Sequence, residues 1–298
     1  MWVEYFPPNG EAPLTFAYEE PYYITDFSGL GDNRASPTTT RGPAQRGTTL
    51  RDVKVDERVV PLTIMVMIDG GTVAQLEAAK AALRRALVVE PGGFGSPPAL
   101  GLLRFHRDDD SLDVLELEAL PRESPQFTST NRVNWAEADI EFVAPYPYPR
   151  ETMDRVFNVA GEGGFEFPVE FVSGGWEMPS FNVEVDIDNG GDVRAPIRVE
   201  IWGDVTDPVL YNDTTGEQIR YVGNVPSGER LEISTDYGQI SAELVDTDGV
   251  RTNAMAYIDH AVTSFWSLRP GVNTVRFGAS INNGGYANTY WRQRYGGA

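Results

Sequence analysis

The chain has 298 residues, of which 44 are acidic and 24 are basic, so its formal net charge is −20. This excess of negative charge argues against a nucleic-acid-binding groove and against attraction to an anionic membrane surface, although an acidic wall could still let nucleic acid slide past it. The absence of cysteine excludes disulfides, thiolate catalysis and Cys-ligated zinc. The length predicts two domains, and the 30 glycines and 21 prolines favour many short strands over a helical bundle.

The sequence offers no targeting or membrane segment. The stretch from Met1 to Leu14 lacks a basic start followed by an apolar core, and no run of roughly 18 apolar residues occurs. We therefore expect a protein without a secretion signal and without a membrane-inserted segment.

The first half begins with aromatic-rich, extended sequence up to Ile24. A polar stretch rich in Gly, Pro and Thr follows from Ser28 to Thr49, and it is too polar to pack as a core element. Loops of this length are usually functional or mobile. The sequence leaves two interpretations open, a disordered connector and an arm that clamps a partner.

A long strand and a helix come next. The apolar run from Lys54 to Asp69 predicts a strand, with Pro61 placing it at an edge or a bulge. Thr72 and Gln75 then form a T-x-x-Q capping box. One apolar face, ending before Pro91, predicts a helix with Val73, Leu76, Ala79, Leu83 and Leu87 on its buried side.

Two further strand patterns complete this half. A β-hairpin with a charged tip is predicted around Arg107 to Ser111, and another strand over Trp135 to Val143. Prolines at 145, 147 and 149 cannot continue a ladder. We therefore predict a domain boundary near Thr152, which gives domains 1–152 and 153–298.

The second half shows the pattern of a β-sandwich. Phe181 to Asp188 alternates apolar and acidic residues, Asn189-Gly190-Gly191 predicts a turn, and a second alternating strand starts at Ile197. Several short strands follow at even spacing. Near the end, Pro270-Gly271 predicts a type II turn between Leu268 and Val272. The strand after it directs Val275 and Phe277 inward, and Phe265 and Trp266 are expected in the core.

Residues that could support catalysis are sparse. His106 and His260 are the two histidines, and no G-x-S-x-G elbow accompanies them, so both are predicted to be surface or edge-packed side chains. Acidic segments at 108–113, 186–192 and 246–249 do not complete the calcium-loop motif. We predict no catalytic residue, no cofactor and no metal site.

The order of several segments is more specific than any one of them. They are YITDFSGLG at 23–31, DERVVPLTIMV, the helix ending in VVEPGG, IEFVAPYPY, GGFEFPVEF, the long segment from NGGDVRAPIRVEIWGD to NDTTGEQI, SGERLEIST and FWSLRPGVNTVRF. In this succession, which covers most of the chain, the sequence resembles the distal tail proteins of long-tailed bacteriophages, the siphovirus-type tail component.

The resemblance implies a mainly β fold, with a tail-tube-like β-sandwich or barrel carrying one α-helix, followed by a galectin-like β-sandwich. It implies a structural virion protein at the tail tip, assembled in the host cytoplasm as a hexameric ring between the tail tube protein and the hub or tail-fibre protein. Receptor-binding proteins would dock on its outer domains, DNA would pass through the lumen without specific binding, and no catalysis is implied. Six copies at −20 would repel, so Arg34, Arg41 and Arg46 are candidate contacts to a neighbour's acids.

Three alternatives remain at this stage. A carbohydrate-binding module would contact sugars through exposed aromatic side chains. Trp176 and Trp202 are the first candidates for such contacts, and Trp266 and Trp291 are further ones. A tail-tube subunit would polymerise into long tubes where a distal tail protein stops at rings. An acidic hydrolase would depend on a single carboxylate.

Overall fold

The computed structural model describes residues 2–31, 34–89, 98–106, 114–128, 134–160 and 183–297. The predicted mainly β fold with one α-helix is confirmed. The chain divides into two compact units: unit 1 comprises Met1–Thr152 and Tyr295–Ala298, and unit 2 comprises Met153–Arg294.

Unit 1 is built on an antiparallel sheet with the strand order β2-β1-β7-β8-β10-β6-β3, to which β11 adds beside β8 and β9 beside β10. The predicted hairpin is present, with Phe105 opposite Leu115, and its tip lies outside the described residues. The strands of this sheet are β1 (Trp2–Phe6), β2 (Leu14–Phe16), β3 (Tyr22–Phe27), β6 (Arg58–Met67), β7 (Gly101–His106), β8 (Leu115–Pro121), β9 (Gln126–Phe127), β10 (Trp135–Ala144) and β11 (Arg150–Glu151).

The central strand pair of unit 1 joins β6 to β10 over ten residue pairs. Val60, Leu62, Ile64 and Val66 alternate into the core, as period-two sequence requires. Of the two positions predicted from Pro61, the edge is wrong, because β6 lies between β10 and β3, whereas a bulge is present nearby as a register shift between Ile24 and Asp26 of β3. Pro61 is tolerated because the ladder between β3 and β6 ends at Leu62. The nitrogen of Pro61, which has no hydrogen to donate, therefore lies just beyond that ladder.

Helix α1 (Val73–Ala86) begins as predicted. The Thr72 hydroxyl accepts from the Gln75 N–H, and the Gln75 side chain accepts from the Thr72 N–H, so both bonds of the capping box form. Leu76, Leu83 and the C-cap Leu87 are buried. Val73 is 52% exposed, contrary to prediction, because it stands at the first turn and off the face that packs on the sheet.

Two antiparallel sheets make up most of unit 2. One has the order β12-β25-β14-β19-β20-β21 with β22 beside β14, a second has the order β13-β23-β16-β17, and β15, β18 and β24 form a small third sheet. The strands are β12 (Arg155–Ala160), β13 (Val183–Asn189), β14 (Ala195–Trp202), β15 (Val205–Thr206), β16 (Val209–Asn212), β17 (Glu217–Arg220), β18 (Asn224–Val225), β19 (Arg230–Ser234), β20 (Ser241–Val245), β21 (Arg251–Asn253), β22 (Ser267–Leu268), β23 (Gly271–Gly278), β24 (Ile281–Asn282) and β25 (Tyr286–Trp291), with a 3₁₀ turn at Met255–Tyr257.

Both predicted turns of unit 2 connect different sheets and do not close hairpins. The Asn189 turn leads from β13 in one sheet to β14 in the other. The Pro270-Gly271 turn leads from β22, paired with β14, to β23, paired with β13, and Gly271 has the expected positive φ of +84°. The fully buried Asn273 holds this turn, because its side chain bonds the N–H and C=O of Arg269 and the C=O of Gly271.

The core of unit 2 contains the side chains expected of the last strand. Val275 and Phe277 are buried, and Trp266 is 2% exposed. Phe265 is partly buried and packs at the margin of the same cluster. The aromatic pair before the turn therefore contributes to the core unequally.

Candidate functional site: an exposed hairpin arm

The polar stretch before β6 forms an antiparallel hairpin of its own. Strand β4 (Ala35–Thr40) pairs with β5 (Thr49–Val55), and the two form a separate two-stranded sheet of unit 1 that does not join its nine-stranded sheet. Every residue of both strands is exposed. We call this element, residues 34–55, the arm.

Of the two interpretations of the stretch from Ser28 to Thr49, the structure disagrees with an unstructured connector, because Ala35–Thr40 forms a strand, and the clamp on a partner stays a prediction. The β-branched residues of Ala35–Thr40 and Thr49–Val55 favour strands, and this was the signal available in the sequence. The signal is weak in this polar sequence. Both faces of the arm are exposed to solvent, so no alternation of apolar and polar residues marks a buried side. The long strand predicted from Lys54 is correspondingly two strands, β5 and β6, separated at Asp56 and Glu57.

Side chains order the tip and the base of the arm. At the tip, the Gln45 side chain accepts from the Gly42 N–H at 2.9 Å and donates to the Thr49 hydroxyl at 2.8 Å. At the base, Ser36 donates to the Asp56 carboxylate at 2.6 Å, and the Asp56 N–H donates to the Arg34 carbonyl at 3.0 Å. The arm is thus a formed element at both ends.

The arm has the opposite charge to the chain as a whole. It carries five basic side chains against one acidic side chain, a net charge of +4 on a chain of −20. The basic residues are Arg34, Arg41, Arg46, Arg51 and Lys54. Arg34 lies at the base and Arg41 and Arg46 at the tip, all of them exposed.

Apolar side chains also stand in solvent on this element. Leu50, Val53 and Val55 of β5 are exposed to 58%, 50% and 43%. A two-stranded hairpin is marginally stable in water by itself, and exposed apolar residues give it no core. Together with the charge, this makes the arm the candidate site for contact with another chain.

The candidate sugar-contact residues have different outcomes. Trp176 lies outside the described residues. Trp202 lies on β14, with the Tyr286 ring centroid 6.2 Å away on β25 and the Arg230 guanidinium 5.1 Å from its ring centroid on β19. Its Nε1 is buried without a hydrogen-bond partner. A sugar stacks on a free ring face, so this geometry does not strengthen the prediction, and a sugar contact at Trp202 stays a prediction.

The two histidines lie in unrelated surroundings. His106 stacks on Trp2 with ring centroids 3.5 Å apart, and its Nε2 is 3.0 Å from a Glu4 carboxylate oxygen. His260 is exposed, with its Nε2 near the Met255 carbonyl. Within the described residues we find no group of three acidic or histidine side chains arranged to hold a metal ion.

In the part of the chain that the structure describes, no helix has the length and apolar character needed to span a bilayer.

Comparison with known proteins adds two findings. The family model described as "Siphovirus-type tail component, C-terminal domain" matches residues 190–295. Among solved structures, the crystal structure of the Dit protein of phage SPP1, described as a paradigm of the hub adsorption apparatus in phages that infect Gram-positive bacteria, has 9% sequence identity to this chain. The likeness covers 98% of each chain with a TM-score of 0.65, which at this identity shows a shared fold.

Weaker likenesses carry no argument of their own. The phage P2 baseplate in its activated conformation with Ca has 8% identity over 98% of this chain and 97% of that chain, with a TM-score of 0.49. No curated protein matches the sequence significantly.

The chain is thus similar to bacteriophage tail proteins in two respects, the family match over residues 190–295 and the fold that it shares with a phage Dit protein. More particularly, residues 190–295 are similar to the C-terminal domain of the siphovirus-type tail component, and the predicted resemblance to the distal tail proteins is confirmed.

Proposed function

We propose that the protein forms a hexameric ring at the tip of a phage tail, where it joins the tail tube to the hub or tail-fibre protein. The observation that carries the proposal is the family match over residues 190–295, and the fold likeness over 98% of the chain supports it. In this proposal unit 1 is the tail-tube-like, ring-forming domain. Unit 2 is the galectin-like sandwich and a platform for receptor-binding proteins.

The arm is the proposed contact between neighbouring copies. A +4 element on a chain of −20 finds its complementary surface on another copy of the same chain, since every copy carries the excess of acid. The exposed apolar residues of β5 would be covered in that contact. The ring would thereby compensate part of the repulsion between its subunits.

The remaining negative charge suits a channel for DNA. Like charge on the wall and on the phosphates disfavours adhesion, so DNA could pass without being held. This part of the proposal needs carboxylates that face the lumen, and a structure of the assembled ring would identify them. An uncharged or basic lumen would contradict it.

The ring is tested with purified protein by mass photometry and negative-stain electron microscopy. A sixfold ring with a central hole is the expected result. Long tubes would instead favour a tail-tube subunit, and a monomer at every concentration tested would overturn the ring.

The arm contact is tested with a triple variant and a matched control of equal charge change. The variant replaces the candidate arginines by glutamine (R34Q, R41Q and R46Q), and the control replaces three exposed arginines outside the arm (R122Q, R198Q and R251Q). We expect the arm variant to lose rings and the control to keep them. Rings that dissociate at low salt, and are not weakened further by the arm variant, would rule out the clamp.

A further inference from the structure

The two ends of the arm meet at a rigid junction in unit 1. On the incoming side, Leu30 is buried in the unit 1 core. Gly29 has φ +95°, and a Cβ there would lie 2.5 Å from the Val59 carbonyl oxygen, so the chain passes too close to β6 for any side chain. On the outgoing side, Arg58 starts β6. We call Gly29–Gly31 and Asp56–Arg58 the arm root.

Arg58 joins both sides of the arm root. Its side chain is buried, and its Nη1 donates to the carbonyls of Gly29 and Gly31, each at 2.7 Å. Its Nε donates to the carbonyl of Pro147, and its Nη2 donates to the carbonyl of Gly296. One guanidinium therefore gathers four backbone carbonyls from three segments that are far apart in sequence.

The guanidinium is suited to this task. Its donors project in a fixed planar fork, so the directions of its hydrogen bonds fix the relative positions of the acceptors. A lysine ammonium is a single charged centre and cannot reach acceptors on several sides of a plane. A buried carbonyl that loses its hydrogen-bond donor destabilises the fold. Each of the four carbonyls therefore favours the position of Arg58 in which its own hydrogen bond forms.

The segment that carries Gly296 is itself held in unit 1. The Tyr295 N–H donates to the Pro149 carbonyl at 3.0 Å, and the Tyr295 ring packs against the unit 1 core. The Gly296 carbonyl is thus presented to Arg58 from a fixed position. Residues 295–297 therefore join the arm root through the Gly296 carbonyl.

Because the arm is long, a small rotation at the arm root causes a large displacement of the tip. Neither arm strand buries a residue, so beyond the hydrogen bonds at its base the arm has no buried side chain along its length to fix its direction. Strand β5 has seven residues and spans about 23 Å at roughly 3.3 Å per residue, so a rotation of about 10° at the root moves the tip by about 4 Å. A displacement of that size is enough to break a hydrogen-bonded or ionic contact.

We propose that Arg58 is the positioning residue of the arm, and that residues 295–297 act as a strap that holds the arm root in one orientation. The strap and Arg58 form a single unit with the carbonyls of Gly29 and Gly31. Loss of either part frees the arm to swing while leaving its strands paired. This proposal rests on the proposed ring only where ring formation is measured; the orientation of the arm is measured in the monomer.

The primary test measures arm orientation directly in the monomer. Because the natural chain has no cysteine, Thr39→Cys in the arm and Val73→Cys at the exposed start of α1 provide the two spin-label sites. Distances are measured by pulsed electron resonance at a concentration where sizing shows monomer. We compare three backgrounds: natural sequence, R58K, and deletion of residues 295–298, with R122K as a control on an exposed arginine of the same unit.

The natural sequence and R122K should give one narrow distance peak, and R58K and the deletion should both lose it. An unchanged peak in either of these two variants, with circular dichroism showing a folded protein, overturns the proposal. If R58K does not fold, the deletion decides alone, because it removes one acceptor of the four and leaves Arg58 in place.

Ring formation by the same variants separates this inference from the proposed function. Loss of the narrow peak together with loss of rings supports both. Loss of the narrow peak with intact rings supports the positioning role of Arg58 and contradicts the arm as a ring contact.

Discussion

Unit 1 contains two long antiparallel strand pairs that share a backbone pattern and differ in what their side chains meet. In the β6–β10 pair every second residue faces the core, with Ile64 and Phe142 almost fully buried. In the β4–β5 arm no residue is buried. The first pair is stabilised by the apolar side chains that it buries within its own unit, whereas the residues of the second are exposed on both faces.

The difference shows that strand pairing and stability are separate properties. Backbone hydrogen bonds are satisfied in both pairs, but net stabilisation comes mainly from apolar burial. The arm therefore depends on its root for direction. In the proposed ring, it depends on a neighbouring copy for the burial that it lacks.

The largest effect should come from breaking the buried pair. Phe142 is 1% exposed and lies 4.9 Å from the Tyr5 ring, so Phe142→Ala should reduce the free energy of unfolding of unit 1 by about 3–5 kcal/mol. Native-state hydrogen exchange of the β6 amides under increasing urea measures this unit alone.

Val59 provides the matched control on the same strand pair. Its side chain is 37% exposed, and Val59→Ala should change the free energy of unfolding by less than about 0.5 kcal/mol. Equal losses in the two variants would mean that burial does not distinguish the faces of the β6–β10 pair.

A smaller effect is expected where exposed side chains hold one another. On the outer face of unit 2, Arg276 of β23 contacts both carboxylate oxygens of Asp213 at 3.0 Å and lies over the Tyr211 ring. The hydrogen bond from Arg276 lowers the pKa of Asp213 below its usual value. Because the pair is partly exposed, it should contribute less than about 1 kcal/mol.

The direction of the pH dependence follows from that lowered pKa. An Asp with a lower pKa in the folded state stabilises the fold above its unfolded pKa of about 3.9, and this stabilisation is lost as the pH falls through the folded value. Asp213→Asn should therefore destabilise unit 2 at pH 7. The difference from the natural sequence should begin to shrink near pH 4 in urea titrations and disappear only once the pH lies below the lowered pKa of Asp213. A difference that persists there would show that the ion pair is not its source.

Local chemistry explains which parts of the fold could be predicted from the sequence. The capping box at Thr72 and the positive φ of Gly271 depend on residues within a few positions, and both are present. The sheet to which each strand belongs depends on distant partners. That is why the sequence predicts turns at Asn189 and Pro270 but does not show that each turn connects two different sheets.

The candidate site was harder to predict for two physical reasons. The arm has no buried face, so its strands leave no period-two pattern, and only its charge pointed to a contact. The partners of Arg58 are backbone carbonyls at positions 29, 31, 147 and 296, and a carbonyl has no residue identity that a sequence pattern could show. Only the folded chain brings them together.

The smallest effect on monomer stability should come from the arm, and it sharpens the comparison most. Replacing Leu50 and Val53 by serine removes apolar side chains that are 58% and 50% exposed, so the free energy of unfolding of the monomer should change by less than about 0.5 kcal/mol. If the same side chains are buried against a neighbouring copy, their loss should cost about 1–2 kcal/mol per contact, or roughly tenfold in association. Ile240→Ser with Val250→Ser, which are similarly exposed in unit 2, is the matched control and should leave association unchanged. Mass photometry over a concentration series measures both pairs, and equal association of the arm variant and the control would mean that β5 stays in solvent in the assembly.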